Sequence, residues 1–159
     1  MDKQLARNLQ SRILEVNTLI TAAGVVFLAK DTGRCLLQLR NSDKRYKHTW
    51  GFFGGLIDKG ETPFEALQRE LVEEIGFMPE LHKLNPIDVY ESKDKNFYYY
   101  SFAAVVEKEF SPTLNEESSG YAWIDIGRWP QPMHQGARAT LNRNGGTDKL
   151  HRILEVNAG

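Results

Sequence analysis

Gly55–Phe77 reads GLIDKGETPFEALQRELVEEIGF, and this stretch predicts one helix with a defined start and a defined end. Thr62, Pro63 and Glu65 have the pattern of a capping box, with proline at the first helical position. Gly76 is a residue that readily adopts the left-handed conformation with which many helices end. The pattern therefore predicts a helix that begins directly after Thr62 and ends at Gly76.

The predicted helix has an apolar face and an acidic edge. Its apolar stripe, at about 100° per residue, consists of Phe64, Leu67, Leu71 and Ile75. Glu70, Glu73 and Glu74 are spaced i, i+3, i+4 and cluster on the neighbouring face, where like charges repel one another. Arg69 is placed for pairing with Glu65 or Glu73 four residues away, but one guanidinium cannot neutralise the whole cluster. The helix therefore aims three carboxylates along the edge of its buried side.

Carboxylate oxygens in such a cluster are the ligands that hard cations such as Mg²⁺ and Mn²⁺ prefer. The alternative is an ordinary solvated helix face, which is the better interpretation of an isolated RExxEE pattern. Gly54, Gly55 and Glu61 precede the helix at fixed offsets and favour the metal interpretation. Because a backbone without a side chain permits close approach, the Gly54 carbonyl is a candidate further ligand.

The same stretch resembles the Nudix box, G-x5-E-x7-R-E-U-x-E-E-x-G-U, in which U is a bulky apolar residue. Every specified position of Gly55–Phe77 matches, with Phe77 where an aliphatic residue is commoner. The resemblance implies an α/β fold, namely a Nudix-type α/β/α sandwich with a mixed β-sheet. It also implies hydrolysis of a nucleoside diphosphate linked to another group, by water attack on phosphorus with Mg²⁺ or Mn²⁺ as cofactor. We therefore expect a single Nudix hydrolase domain over residues 1–159.

The resemblance also implies roles for individual residues. The metal ligands that it implies are Gly54, Glu70, Glu73 and Glu74. Arg69 and Glu61 are expected to hold the loop and the helix together, and Glu70 is a candidate base toward the attacking water. A further acidic residue from a later loop often completes such sites. Glu117 is our first candidate for it and Glu116 our second, and a solvated acidic loop is the alternative for both.

Candidate substrate contacts lie around the strand that leads into the glycines. They are Arg40, Arg45, Tyr46 and Phe53. The two arginines are candidate phosphate contacts, with a solvated basic loop as the alternative. Tyr46 is a candidate for stacking on a base, and packing is the alternative. Phe53 stands where many family members have proline, so we expect it to reshape the nucleoside pocket.

Composition is ordinary for one globular domain, with 159 residues, 41% hydrophobic and 26% charged. The formal net charge of −1 gives no global basic field that would attract nucleic acid or an anionic membrane. Cys35 is the single cysteine, which excludes an intramolecular disulfide, and its apolar neighbours predict a buried thiol. No segment has the pattern of a signal peptide or a membrane span. We expect a soluble cytoplasmic protein.

The expected partner is a small-molecule nucleoside diphosphate derivative, with no membrane and no long nucleic acid. A homodimer is left open. Two other classes of function are also left open. One is a Nudix-like module that senses a nucleotide without turnover, although this chain has kept every carboxylate of the box. The other is a nucleic-acid-binding adaptor, which the acidic balance disfavours.

Periodicity and turn signals predict the remaining elements. The predicted strands are Leu19–Lys30, Arg34–Arg40, Thr49–Phe53, Ile87–Glu91, Phe97–Val106 and Tyr121–Ile126. The first two are expected to form a hairpin, and the third to lead into a turn at Gly54 and Gly55. Further helical patterns cover residues 2–16 and His134–Asn142, and a last segment covers Asp148–Val156.

Overall fold

A mixed β-sheet is the centre of the computed structural model, which describes residues 19–41, 48–77 and 83–158. The strands within these ranges are β1 (Ile20–Ala29), β2 (Arg34–Arg40), β3 (Trp50–Gly51), β4 (Phe53–Leu56), β5 (Lys83–Glu91), β6 (Phe97–Val106) and β7 (Ser118–Asp125). The helices are α1 (Pro63–Ile75), α2 (Gln135–Arg138), a π-helix (Ala139–Arg143) and α3 (Gly146–Asn157). The helix predicted over residues 2–16 lies outside the described residues.

Strand pairing confirms the predicted mixed sheet. The main path of the sheet runs β3-β2-β1-β6-β5, with β4 paired to β1 and β7 paired to β2. β1 and β2 form the predicted antiparallel hairpin, in which Phe27 lies opposite Leu36. β1 pairs in parallel with β6 along its whole length, from Ile20 opposite Phe97 to Ala29 opposite Val106. This parallel pair, in an otherwise antiparallel set of described strands, makes the sheet mixed.

The chain changes its partner strand between β3 and β4. β3 pairs with β2, and β4 pairs with β1, so the predicted single strand Thr49–Phe53 is two strands separated by Phe52. The predicted turn at Gly54 and Gly55 is wrong, because both residues lie inside β4, with Gly54 opposite Gly24. Beyond the hairpin, β1 and β2 separate, and β3 and β4 lie between them.

Helix α1 begins and ends as predicted. The Thr62 hydroxyl accepts a hydrogen bond from the Glu65 N–H at 3.1 Å, and the Glu65 carboxylate accepts one from the Thr62 N–H at 3.2 Å. Gly76 closes the helix with φ 84°. The predicted apolar stripe is correct except for Phe64, which lies in the first turn and is 43% exposed. The buried face also includes Glu74, so one of the three carboxylates lies inside the core and not along its edge.

Apolar side chains fill both faces of the sheet. The cluster on the α1 side includes Val25, Phe27, Leu36, Phe53, Leu67, Leu71 and Ile75. The cluster on the other side includes Val26, Leu28, Cys35, Leu37, Phe52, Tyr99, Leu141 and Leu150. Full burial of one such large side chain contributes about 1.5–3 kcal/mol. Helices cover the sheet on both faces, which confirms the predicted sandwich, and Cys35 is buried as predicted.

The last part of the chain differs from the prediction in detail. The helix predicted over His134–Asn142 is a short α-helix followed by a π-helix, and the segment after Gly145 forms α3. No helix in the described ranges is both long and apolar enough to span a membrane.

Gly54→Ala tests the close approach of β4 to β1. Gly54 has φ 144°, and a Cβ there would lie 2.0 Å from the Ala23 carbonyl oxygen. Gly60 is the matched control, since it also has positive φ (87°) but has no heavy atom within 4 Å of an added Cβ. We expect Gly60→Ala to lower the free energy of unfolding by about 1 kcal/mol, and Gly54→Ala to lower it several-fold more. Equal losses in denaturant melts of the two variants would contradict the close approach.

Candidate active site

An ion pair fastens the loop before α1 to the helix. Arg69 donates from Nε to Glu61 Oε2 at 3.0 Å and from Nη2 to Glu61 Oε1 at 2.9 Å. Its Nη2 also donates to the Leu56 carbonyl at 3.0 Å. The hydrogen bonds from Arg69, and one from the Asp58 N–H, lower the pKa of Glu61 to about 2. The pairing of Arg69 with Glu61 agrees with the role that the resemblance implies.

The partners that helical spacing predicted for Arg69 are wrong. In the described part of the chain its ion pairs are with Asp58, Glu61 and Glu70, because the guanidinium turns toward the preceding loop. Glu65 instead belongs to the capping box.

Glu70 lies against the glycine strand. Its Oε1 accepts a hydrogen bond from Arg69 Nη1 at 2.7 Å. A Cβ on Gly55 would lie 2.6 Å from the Glu70 carboxyl carbon, so glycine is what allows the carboxylate to approach β4. Burial raises the pKa of Glu70 although the neighbouring Arg69 opposes the shift.

Glu74 is buried, with 1% of its surface exposed. Its Oε1 accepts a hydrogen bond from the Gly54 N–H at 3.0 Å, and its Oε2 accepts one from Gln38 Nε2 at 3.1 Å. Burial raises the pKa of Glu74 to about 8, and the charges of Glu70 and Glu117 act in the same direction. A carboxylate at this place is therefore unfavourable until a positive charge compensates it.

Three carboxylates converge at one point. Glu70, Glu74 and Glu117 each offer an oxygen, and the three oxygens lie within 4.8 Å of one another. This is the donor set that a hard divalent cation needs, and burial, the main cause of the raised pKa values of Glu70 and Glu74, makes their negative charges unfavourable without such a cation. Glu73 is exposed on the next face of α1 and is outside this group, so its role as a ligand stays a prediction.

Asn115 connects the loop that carries Glu117 to α1. Its side-chain Nδ2 donates to the Glu73 carbonyl at 3.0 Å, and its Oδ1 accepts from the Glu117 N–H at 2.9 Å. Glu116 is exposed, and its backbone carbonyl accepts a hydrogen bond from the Asn41 side chain. Of the two acidic candidates in this loop, Glu117 is therefore the one that joins the cluster. Asn115 was missed at the sequence level, because a loop asparagine has no distinctive spacing.

The structure places two of the four candidate substrate contacts, Arg40 and Phe53, in different surroundings. Arg40 is the last residue of β2 and is partly buried. Its positive charge acts to lower the pKa of the Tyr99 hydroxyl and of the His134 imidazole. Arg45 and Tyr46 lie outside the described residues. Phe53 is 0% exposed in the α1-side core, so a ring at this position cannot contact a ligand without leaving the core. The prediction of a substrate contact by Phe53 is therefore corrected to a packing role, because β4 directs this side chain toward α1.

Comparisons with known proteins identify the family of this chain. The model of the NUDIX domain family matches residues 18–143. The 8-oxo-dGTP diphosphatase of Haemophilus influenzae is 31% identical over 117 residues, which cover 69% of this chain and 81% of that protein. The RNA pyrophosphohydrolase of Aeromonas hydrophila is 58% identical over 38 residues, so the similarity spans 23% of this chain and about a fifth (22%) of that protein.

A solved structure shows the same fold. The NUDIX domain of Shewanella oneidensis NrtR, complexed with ADP ribose, has a TM-score of 0.64 and 17% identity, covering 85% of this chain and 88% of that one. The chain belongs to the Nudix family, and it is a Nudix hydrolase.

Stability of the metal-free protein should fall as the pH rises. A carboxyl whose folded pKa exceeds its unfolded pKa stabilises the fold below the unfolded value, and this contribution disappears as the pH rises through the folded value. The Glu74 pKa of about 8 therefore predicts a decline toward pH 8, which shows mainly above about pH 6.5, because the lowered pKa of the partly buried His134, about 4, gives a contribution of opposite sign below that pH. The lowered pKa of Glu61 acts in the opposite sense, but only as the pH falls below about 4.5. Thermal melts in EDTA would measure the decline.

Glu74→Gln should flatten this pH dependence, since an amide does not titrate. Glu116→Gln is the matched control, because Glu116 is exposed and outside the cluster. A decline of equal slope in the wild type and Glu74→Gln would contradict the assignment of the raised pKa to Glu74.

Proposed function

We propose that this Nudix hydrolase is a divalent-metal-dependent pyrophosphohydrolase that cleaves a nucleoside diphosphate linked to another group. The observation that carries the proposal is the convergence of Glu70, Glu74 and Glu117 within 4.8 Å beneath the glycine strand. Mg²⁺ or Mn²⁺ is the proposed cofactor, held by these carboxylates together with Glu73 and the Gly54 carbonyl. Such an ion, when bound, neutralises phosphate charge and lowers the pKa of a bound water.

The protein's own residues have three tasks in this proposal. Glu74 and Glu70 present oxygens at fixed positions, because both are held by hydrogen bonds from the glycine strand, from Gln38 or from Arg69. Arg69 and Glu61 keep the loop before α1 closed against the helix, which fixes the direction of the Gly54–Leu56 backbone. Glu70 is the proposed base that accepts the proton of the attacking water, since its carboxylate lies against the glycine strand beside the other two acids of the cluster.

For the substrate, we propose a nucleoside triphosphate first. The relative that is similar over most of its length is named an 8-oxo-dGTP diphosphatase. The similarity to the RNA pyrophosphohydrolase covers a short stretch and gives less support to an RNA end as substrate. A nucleotide sugar or a dinucleoside polyphosphate stays as an alternative within the same reaction class. Arg40 is the proposed phosphate contact among the described residues.

The proposal also includes the extent of the domain, the class of ligand and the location in the cell. We propose one domain over residues 1–159, supported by α3, whose Leu150 lies in the core beside β-sheet residues. We propose a small nucleotide derivative as the ligand, supported by the NUDIX domain that was solved with ADP ribose. We propose a cytoplasmic location, supported by the single buried cysteine, which fits a reducing compartment.

Chelation should abolish turnover. We expect EDTA to stop phosphate or pyrophosphate release from nucleoside triphosphates, and added Mg²⁺ or Mn²⁺ to restore it. Glu74→Gln and Glu73→Gln should each lower kcat by at least about 100-fold while the fold survives, because charge stabilisation of the reacting phosphate is lost. Circular dichroism checks the fold. Full activity of both variants in the presence of metal would refute the metal assignment.

Glu117→Gln should also lower kcat, by about 10-fold or more, since it removes one carboxylate from the cluster. Glu116→Gln, at the neighbouring position, is the matched control and should keep wild-type kcat. Equal effects of the two substitutions would mean that the loop's general charge matters and not the position of one carboxylate.

A substrate screen separates the remaining possibilities. Nucleoside triphosphates with normal and oxidised bases, nucleotide sugars and dinucleoside polyphosphates are each incubated with enzyme and Mg²⁺, and phosphate products are measured. Hydrolysis in ¹⁸O-labelled water then identifies the phosphorus that is attacked. Tight binding of a nucleotide without turnover, measured by calorimetry, would favour the sensor alternative and contradict the proposal.

A further inference from the structure

Gln38 is a buried polar residue in the middle of an apolar strand. It is 3% exposed and follows Cys35, Leu36 and Leu37 in β2. Alternation along the strand places it on the same face as Leu36, which is the α1 side. An amide at such a position is unfavourable unless its hydrogen-bonding groups are satisfied, so its partners indicate why it is there.

The amide group of Gln38 has a partner for each of its hydrogen-bonding groups. Its Nε2 donates to the Phe52 carbonyl at 2.9 Å and to Glu74 Oε2 at 3.1 Å. Its Oε1 accepts a hydrogen bond from the Ser118 hydroxyl. The two N–H groups and the carbonyl oxygen are therefore directed to three different elements, which are the β3–β4 junction, α1 and the start of β7.

These three elements carry the groups that form the carboxylate cluster. Phe52 is the residue at which the chain changes partner from β2 to β1, so its carbonyl lies at a break in the sheet ladder. Glu74 accepts from the Gly54 N–H just beyond that break. Ser118 directly follows Glu117, and the Asn41 N–H, at the end of β2, donates to the Glu117 carbonyl at 3.0 Å. Gln38 thus connects the Glu74 side of the cluster to the Glu117 side through side-chain hydrogen bonds, and Asn115 makes a second connection at the surface of the loop.

We propose that Gln38 is a positioning residue for the metal site: its side-chain amide fixes the Glu74 carboxylate relative to the strand that follows Glu117. The proposal rests on the proposed function, because it assigns Gln38 to the same site. An amide suits this task because it donates to a carboxylate without adding a charge to the cluster. Residues that hydrogen-bond to metal ligands typically change metal affinity by about 10- to 100-fold when they are removed.

The test measures Mn²⁺ binding without substrate, by titration of the electron paramagnetic resonance signal of free Mn²⁺. Gln38→Met keeps the side-chain length but removes the three hydrogen bonds, and we expect it to raise the Mn²⁺ Kd about 10-fold. The double variant Gln38→Met, Ser118→Ala also removes the orphaned hydroxyl. We expect the double variant to recover thermal stability relative to Gln38→Met but to keep the raised Kd. A merely structural role predicts that the Mn²⁺ Kd recovers together with the thermal stability, so recovery of stability alone supports the positioning role. If Gln38→Met does not fold, the Kd of the double variant is compared directly with that of the wild type.

Thr140→Val is the matched control. Thr140 is fully buried, and its hydroxyl bonds to Ser101 and Asp88 on the other face of the sheet. We expect this substitution to lower the melting temperature while the Mn²⁺ Kd stays within twofold of the wild type. An equal rise of Kd in Thr140→Val would overturn the proposal, since general destabilisation would then explain the effect.

Failure of this proposal can be distinguished from failure of the proposed function. Wild-type affinity in the Gln38 variants, beside lost binding in Glu74→Gln, would overturn the positioning role alone. A wild-type protein that binds no Mn²⁺ would overturn the proposed function, and the role of Gln38 with it.

Discussion

The burial of the Glu74 carboxylate beneath β4 is the constraint on which the site depends. A carboxyl in this place loses hydration, and two hydrogen bonds only partly compensate for the loss, as its raised pKa indicates. The same fixed environment makes Glu74 useful, because the group need not reorganise when a positive charge arrives. α1 can bury this carboxylate because apolar side chains on the same face, such as Leu67 and Leu71, anchor the helix to the sheet.

The glycines of β4 make this burial possible, because they allow the strand to lie close to its neighbours. Gly54 must lie close to β1, and Gly55 must leave space for the carboxylate of Glu70, so a side chain at either position would move the strand or the acid. Arg69 holds the loop that follows, through Glu61 and the Leu56 carbonyl. Hydrogen bonds and close packing therefore connect the strand, the loop and the helix into one unit, which accounts for the spacing of glycine, acid and arginine in the sequence.

Much of this unit could be predicted from the sequence, because its determinants are local. The capping box, the terminal Gly76 and the grouping of Glu70 with Glu74 all follow from residues within one or two helical turns. The burial of Glu74 could not be predicted, since helical periodicity shows that it lies near the apolar stripe but not how closely β4 approaches. The partners of Arg69 were predicted wrongly from helical spacing for a related reason, because spacing on a helix does not include the preceding loop. Gln38 had a weak signal, a polar residue at an inward position of an apolar strand, but its partners are 14, 36 and 80 positions away in the chain.

The parallel pairing of β1 with β6 has a consequence for how the chain folds. Partner residues such as Ile20 and Phe97 are 77 positions apart in the sequence (97 − 20), and pairing over such a separation is slow, because the chain must close a long loop first. During synthesis, β1 leaves the ribosome well before β6 does. Until β6 pairs with it, one edge of the apolar segment Val25–Ala29 has backbone groups without strand partners. The hairpin with β2 shields the other edge over Phe27 and Leu28, which makes early hairpin formation a safeguard against self-association of the nascent chain.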